Sequence, residues 1–143
     1  MGNPQATVES MTPIAAGIRA NSMPDTPERM AQRMATMAVA QSDKDVISNW
    51  SKSSDASVIR NALADDLTLD LRPGLATIST PLTLVYPDYA PLGSPKGAAD
   101  GQYRGAYSAV PHMTFVPVTD SLHFIMLDQP KQFESALNAF LAH

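Results

Sequence analysis

The sequence predicts an α/β fold in which a helical segment, residues 1–70, precedes a strand–helix–strand–helix unit, residues 71–143. Apolar residues recur at helical spacing through the first segment. The second segment contains two short β-prone runs, 81–86 and 113–118, each followed by a helical pattern. Strands that alternate with helices are typical of a parallel sheet. Because two strands leave their outer edges unpaired, we expect a partner chain to complete the sheet.

Two helices are predicted at the start of the helical segment. Thr12 and Pro13 are residue types preferred at an N-cap and at the first helical position, which predicts a short helix after them. The residues before Thr12 show no clear period and are expected to be a lead-in. Asp25 and Glu28 stand at the spacing of a capping box and predict a second helix that runs to about Gln41.

Methionines dominate one face of the second predicted helix. Four residues recur there at i, i+4, i+7 and i+8: Met30, Met34, Met37 and Ala38. Such a stripe is typical of a helix that packs against the core. Alternatively, the thioether side chains line a cleft for apolar ligands, because unbranched and polarizable side chains adapt to varied shapes.

Two further helices, 43–52 and 55–67, complete the helical segment, which ends at the Arg-Pro-Gly sequence of residues 72–74. The first of them contains the only tryptophan, Trp50, which we expect to anchor packing. The sequence Ser53-Ser54-Asp55 is expected to end the first and to cap the second.

The remaining elements follow from changes of period in the second half. A loop is predicted at 87–97, a helix at 98–109 and a terminal helix at 131–141. Pro117 lies near the end of the second β-prone run, which suits a strand end or a sheet edge. The terminal helix is expected to turn four apolar residues toward the core: Phe133, Leu137, Phe140 and Leu141.

Composition excludes several classes of function. The chain has 143 residues and a net charge of −4, with its basic residues scattered singly, which gives no support to nucleic-acid binding. It has no cysteine, so disulfides, thiolate metal sites and cysteine nucleophiles are excluded. No apolar run reaches the roughly 18 residues that span a bilayer, and no secretory signal is recognisable, so we expect a soluble, cytoplasmic protein. The three histidines lack metal-ligand spacing and no glycine-rich phosphate loop occurs, so we expect no metal and no cofactor.

The stretch 120–130, Asp-Ser-Leu-His-Phe-Ile-Met-Leu-Asp-Gln-Pro, carries the most distinctive group of residues in the chain. It follows the second β-prone run and precedes the terminal helix, so His123 is predicted on a loop between a strand and a helix. Loops of this kind are where a rigid scaffold presents chemically active side chains.

This stretch resembles the C-terminal end of the α/β-hydrolase superfamily, and residues 70–86 are similar to the return from that family's cap into the penultimate core strand. The resemblance implies that residues 1–70 form a cap over the substrate pocket and that residues 71–143 form the C-terminal part of the hydrolase core. It also implies that His123 is the general base of a Ser-His-Asp triad.

The resemblance leaves the catalytic acid open. The family commonly places it three residues after a glycine that ends the penultimate strand, but here Pro87 stands at the glycine's place and Ala90 at the acid's. Asp88 is the candidate, reaching the imidazole through a different turn; the alternative is an acid on the strand before the cap, a known variant. Asp120 and Asp128 flank the histidine, but they are interpreted as loop and helix-cap residues, with Asp128 as an N-cap of the terminal helix.

The sequence contains no recognisable nucleophile for this triad. A serine hydrolase needs its serine on a sharp strand-to-helix turn of the pattern G-x-S-x-G, which does not occur in these residues. Ser94 is flanked at −2 and +2 by Leu92 and Lys96, and Ser108 likewise lacks the glycines, so both are interpreted as ordinary loop and helix residues. In the family the nucleophile and the oxyanion loop lie in the N-terminal half, before the cap.

Two functional hypotheses follow. In the first, this chain is the C-terminal portion of a serine esterase, which supplies His123, Asp88 and the cap wall for hydrolysis of a small apolar ester, while a complementing N-terminal hydrolase chain supplies the nucleophile. In the second, it is a catalytically silent module derived from a hydrolase that forms a homo-oligomer and binds apolar ligands. Neither hypothesis involves nucleic acid or a membrane.

Overall fold

A computed structural model describes residues 7–21 and 26–142 of the chain. Within these residues the α-helices are α1 (Val8–Arg19), α2 (Pro27–Ala35), α3 (Gln41–Ser53), α4 (Ala56–Thr68), α5 (Ala98–Ala106), α6 (Ile125–Asp128) and α7 (Pro130–Leu141). The strands are β1 (Leu82–Pro87) and β2 (Met113–Val118), and short 3-10 helices occupy Arg72–Thr77 and Ala90–Leu92. None of these helices is both long and apolar enough to span a bilayer, in the part of the chain just given.

Helix α1 begins earlier than predicted, with Thr7 rather than Thr12 as its N-cap. Thr7 Oγ1 accepts a hydrogen bond from Ser10 N at 3.2 Å, and Ser10 Oγ accepts one from Thr7 N at 3.0 Å. Pro13 therefore lies inside the helix, not at its first position. The prediction was wrong because this reciprocal cap satisfies two backbone donors before the proline is reached, and because the longer helix packs against α4, burying Ala15.

Helix α2 starts as the pattern predicts but ends early. Thr26 is its N-cap and accepts from Arg29 N at 3.3 Å, whereas the predicted cap Asp25 lies outside the described residues. The helix ends at Ala35, well before Gln41, where α3 begins. The connection between them is held by the loop that carries the histidine, so tertiary hydrogen bonds replace helical ones there.

The methionine face forms part of the core. Met34 and Ala38 are buried together with Ile47 of α3, which packs against α2. Further residues pack around this cluster: Met30, Met37, Phe124 and Leu127. The core-facing interpretation of the stripe is thus observed, and the cluster joins the helical half to the segment after β2.

The two strands form a parallel sheet, as predicted, with a register that runs from Leu82 opposite Met113 to Pro87 opposite Val118. The sheet has two strands within the described ranges. Helix α7 covers the face that carries Thr83 and Val118. Most strand side chains remain half-exposed, because two strands and one helix on each side cover only part of the sheet.

Helix α5 covers the other face through aromatic contacts. The rings of Tyr86 and Tyr103 lie 4.7 Å apart between centroids, and the Arg104 guanidinium lies 4.5 Å from the centroid of the Phe115 ring. Such stacked and cation–π contacts favour a fixed position of α5 on the strands.

The expected core face of α7 is only partly buried. Ala136 is buried and Phe133 is half-buried, but Leu137 is 42% exposed and Phe140 48% exposed. That prediction was wrong for the second half of the helix, because the described sheet is too narrow to cover it.

Candidate active site

Asp88 directly follows β1 and the loop of His123 follows β2, so both lie at the carboxyl end of the sheet. Parallel strands point the same way, so the segments that follow them leave side by side. The two segments are joined directly: the backbone N–H of Asp88 donates to the carbonyl of Val118 at 3.1 Å. Asp88 and the loop of His123 therefore leave the sheet at the same end.

His123 is exposed, and its imidazole contacts the first of two neighbouring aromatic rings. Its ring meets the ring of Phe124 edge to face, at 5.2 Å between centroids and an interplanar angle of 77°. Phe124 in turn lies 6.0 Å from the ring of Trp50, which is itself 49% exposed. Trp50, which we expected to anchor packing, lies outside the buried cluster, and its half-exposed ring extends an apolar surface from the histidine onto α3.

Backbone hydrogen bonds fasten the loop of His123 to the connection between α2 and α3. The N–H of His123 donates to the carbonyl of Thr36 at 3.4 Å, and the N–H of Phe124 donates to the carbonyl of Met37 at 2.9 Å. These bonds explain why α2 stops where it does, since the peptide groups of residues 36–37 face another segment instead of continuing a helix.

The start of the same loop is held from α7 and from β2. Gln129 Nε2 donates to the carbonyl of Asp120 at 3.1 Å, and Asp120 adopts a left-handed conformation with φ of 55°. Ser121 is fully buried, and its hydroxyl donates to the carbonyl of Val118 at 2.9 Å. The serine two residues before His123 therefore serves the turn and has no free hydroxyl to act as a nucleophile.

Asp128 has a different role from the one its position suggested. It is the last residue of α6, and the N-cap of α7 is Gln129, which shows no side-chain capping bond. The Asp128 carboxylate accepts instead from Val39 N at 2.7 Å and from Leu122 N at 2.8 Å. The N-cap interpretation was wrong because two backbone donors from other segments reach the carboxylate.

Asp88 is half-buried and caps its own turn. Its Oδ1 accepts from the N–H of Ala90 at 3.0 Å. No hydrogen bond joins Asp88 to His123, and none reaches the His123 imidazole from any side chain in residues 7–21 and 26–142. The acid–base pair that the resemblance implies is thus brought to one edge of the sheet but not into contact, and the role of Asp88 stays a prediction.

Tyr89, next to Asp88, fixes the shape of this turn. It is in the left-handed region with φ of 58°, a conformation that side chains with a Cβ avoid. Burial, and then a hydrogen bond with Tyr89, raise the pKa of Tyr103 of α5.

A polar cluster next to the carboxyl end of β1 was not predicted from the sequence. The hydroxyl of Tyr86, which is 1% exposed, donates to the carboxylate of Asp100, and Arg104 Nε donates to the other carboxylate oxygen at 2.7 Å. Burial and the bond to Asp100 raise the pKa of Tyr86 to about 12, while the bonds from Arg104 and Tyr86 lower the pKa of Asp100. The i,i+4 spacing of Asp100 and Arg104 could have indicated their ion pair, but no local signal points to the tyrosine.

The described residues hold neither a metal cluster nor a serine paired with the histidine. No group of three or more His, Asp or Glu side chains is placed to bind a metal ion in residues 7–21 and 26–142. Ser94 lies in the loop before α5 and Ser108 in the turn after it, and neither side chain hydrogen-bonds with His123 or Asp88.

A wide groove lies away from this end of the sheet. A volume of about 910 Å³ opens between the sheet and α7, lined by strand residues such as Thr114 and Val116 and by helix residues such as Ser135 and Phe140. A smaller hollow of about 210 Å³, lined by residues of β1, the preceding Pro81 and α7, lies along β1. Neither includes His123 or Asp88, so both are candidates for packing surfaces.

Comparison with known proteins indicates the fold. No protein-family model and no curated protein matches this sequence. The structure is similar to that of a thermophilic esterase from Thermogutta terrifontis, solved with malate bound, with a TM-score of 0.65 and 17% sequence identity. The match covers 99% of this chain and 51% of the esterase, so the chain spans about half the length of that protein. At this identity the likeness shows the fold alone, which is esterase-like.

Proposed function

We propose that this chain is the C-terminal, base-supplying portion of an α/β-hydrolase of the esterase type, in which His123 is the general base and the helices of residues 7–68 form a cap. One observation carries the proposal: an exposed imidazole on the loop after a parallel strand, in a chain with an esterase-like fold. The proposed substrate is a small apolar ester, because the ring of Phe124 lies beside His123 and the ring of Trp50 lies beside Phe124.

The proposed chemistry is acyl transfer to a serine. His123 takes the proton of a serine hydroxyl as the oxygen attacks the ester carbonyl, and returns it to the alcohol that leaves. It then activates a water molecule, which releases the acid from the serine. An imidazole without a bond to another side chain has a nitrogen available for this transfer.

The orienting acid in this proposal is Asp88 or a carboxylate outside these 143 residues. For Asp88 to act, its carboxylate must also accept from the imidazole, and the oxygen that does not accept from the N–H of Ala90 is the one available for this bond. The acid then holds the ring in the tautomer that accepts the serine proton.

The serine belongs, in our proposal, to polypeptide outside these 143 residues that pairs with the free edge of β1. The N–H groups of Leu82 and Asp88 donate across to β2, at 2.9 and 3.1 Å, so the alternation of a parallel ladder turns those of Thr83 and Val85 to the open side. A parallel strand added along this free edge would have its carboxyl end at the end of the sheet where Asp88 and His123 lie. By the same alternation each outer edge contains one proline without an N–H, Pro87 on β1 and Pro117 on β2, so the prolines do not decide between the two edges.

The apolar surface next to β1 supports this choice of edge. The hollow along β1 is lined almost wholly by apolar side chains, including Val85, Phe133 and Phe140. Leu137 and Phe140 of α7 are about half-exposed beside it. A strand with an attached helix would remove this surface from water, which is the main driving force for association.

The second candidate is a silent module that pairs with a second copy of itself and binds apolar ligands. The absence of a bond between Asp88 and His123 within the described residues favours it. A twofold pair joined through β1 would be antiparallel, and would therefore not bring a second chain's strand end to the edge that carries His123.

The test is hydrolysis of p-nitrophenyl butyrate by the protein isolated from its own cells together with whatever polypeptide accompanies it. We expect His123→Ala to lower kcat/KM by about a thousandfold or more. His112→Ala is the matched control, since His112 is exposed at the amino end of β2, and it is expected to leave the rate within about twofold.

Two results would contradict the proposal. A fluorophosphonate adduct on one of these 143 residues would show that the nucleophile lies in this chain. A homo-oligomer that gives neither turnover nor adduct would favour the silent module.

A further inference from the structure

We propose that Asp128 is a positioning residue, whose carboxylate clamps the loop of His123 to the connection between α2 and α3. The helices of the cap and the imidazole would then hold one relative position and move together. The inference rests on the proposed function only in taking His123 as the base; the clamp itself is a statement about geometry.

Both oxygens of the carboxylate are engaged by donors from different parts of the chain. Val39, which is 89 residues away, donates its N–H to Oδ1 at 2.7 Å. Leu122, six residues away, donates its N–H to Oδ2 at 2.8 Å. These are the short distances of bonds to an ionised acceptor, which are about twice as strong as bonds between neutral groups.

Backbone hydrogen bonds join the loop of His123 to the connection between α2 and α3 only in part, and the Asp128 carboxylate accepts from the two N–H groups that remain. Between the two donors, the segments are already joined by His123 N to the carbonyl of Thr36 and by Phe124 N to the carbonyl of Met37. The N–H of Val39 and the N–H of Leu122 find no carbonyl in the opposite segment. Leu122 is 2% exposed, so leaving its N–H without a partner would be costly.

The carboxylate has no competing role in its own helix. The four-residue α6 ends at Asp128, and the N-terminus of α7 is formed by Gln129 without a side-chain capping bond. One oxygen bonds to Leu122, the residue before His123, and the other bonds to Val39 in the connection between α2 and α3. The side chain therefore acts on the imidazole through the backbone of the loop.

Asp128→Asn tests the clamp with almost no change of shape. One carboxylate oxygen becomes an NH₂ group, which is a donor and faces a backbone N–H. We expect amide hydrogen exchange to become about tenfold faster or more at whichever of Val39 and Leu122 faces the NH₂ group, the loss expected for a hydrogen bond to a charged acceptor. The ring signals of His123 should shift and broaden in the NMR spectrum, while those of His112 stay in place.

Asp66→Asn is the matched control, because Asp66 is exposed and makes no hydrogen bond or ion pair with residues 7–21 and 26–142. It should change neither the two amides nor the histidine signals. Asp128→Glu retains the charge and both acceptors and should restore part of the protection at Val39 and Leu122.

Three outcomes would overturn the inference. Exchange at Val39 and Leu122 unchanged by Asp128→Asn would do so, and so would a uniform acceleration of all amides with the His123 signals in place, since that describes a general loss of stability. If the variant does not fold, exchange in the unaltered chain decides: a Val39 amide that exchanges as fast as an unprotected one shows that the clamp does not exist. None of these measurements needs esterase activity, so the clamp and the proposed function can fail separately.

Discussion

The two loops at the end of the sheet that carries the candidate site are held in different ways. The turn after β1 is held from within the strand–helix–strand unit: the N–H of Asp88 donates to Val118, and the N–H of Ala90 donates to Asp88. The loop after β2 is held in addition by the helical half, because the connection between α2 and α3 accepts its backbone hydrogen bonds and Asp128 ties the two segments together.

This difference shows which part of the site depends on the helical half. The turn of Asp88 can form on the strand–helix–strand unit alone, since its partners lie within that unit. The position of His123 requires α2 and α3 to be folded, because Phe124 completes their buried cluster. A change in the helices should therefore reach the proposed base while leaving the proposed acid in place.

The largest expected effect comes from removing the side chain that joins the loop of His123 to the helices. Phe124→Ala should lower the free energy of unfolding by about 3 kcal/mol, since it opens a cavity in the cluster of Met34 and Ile47 and removes the contact with Trp50. Urea unfolding followed by circular dichroism measures the loss.

Phe140→Ala is the control for Phe124→Ala. Phe140 is 48% exposed on α7, so its removal should cost less than about 1 kcal/mol. Equal losses in the two variants would mean that the contact between loop and helices contributes nothing beyond ordinary packing.

A smaller effect is expected at the base of the other turn, together with a dependence on pH. Tyr86→Phe removes the hydroxyl that donates to the ionised Asp100 and should cost about 2 kcal/mol near neutral pH. The pKa of Tyr86 is raised from 10.0 to about 12 in the folded chain, so its contribution to stability is complete below pH 10 and is lost as the pH rises to about 12.

The stabilities of the unaltered chain and of Tyr86→Phe should therefore converge between pH 10 and pH 12. Urea unfolding of both proteins at a series of pH values checks this. Two curves that stay parallel over that range would show that the hydroxyl is not held by the carboxylate.

The smallest of these effects concerns the hydrogen bond that shapes the turn of Asp88. Tyr103→Phe keeps the stack on Tyr86 but removes the bond with Tyr89, and should cost about 1 kcal/mol. Tyr107→Phe, whose hydroxyl makes no hydrogen bond within the described residues, should cost less. NMR should show the ring signals of His123 unmoved in both variants; a shift in Tyr103→Phe alone would mean that the two loops are coupled after all.

Local sequence determined the elements that position the site. The run 113–118 is β2 itself, and the run 81–86 differs from β1 by one residue at each end. The cap of α4 lies within the predicted Ser53-Ser54-Asp55 sequence, at Asp55. These elements follow from side-chain period, β-branched residues and capping chemistry, which act over a few neighbours. The place of His123 on a loop between β2 and a helix follows from the same patterns.

Tertiary structure decided what holds that histidine. The early end of α2 and the two bonds to Asp128 depend on segments that meet only after folding, 89 residues apart in the case of Val39. The burial of Tyr86 beside Asp100 is likewise invisible in the sequence around either residue. A carboxylate looks the same in sequence whether it caps a helix or joins two segments, because its role is set by which donors the fold brings within 3 Å of it.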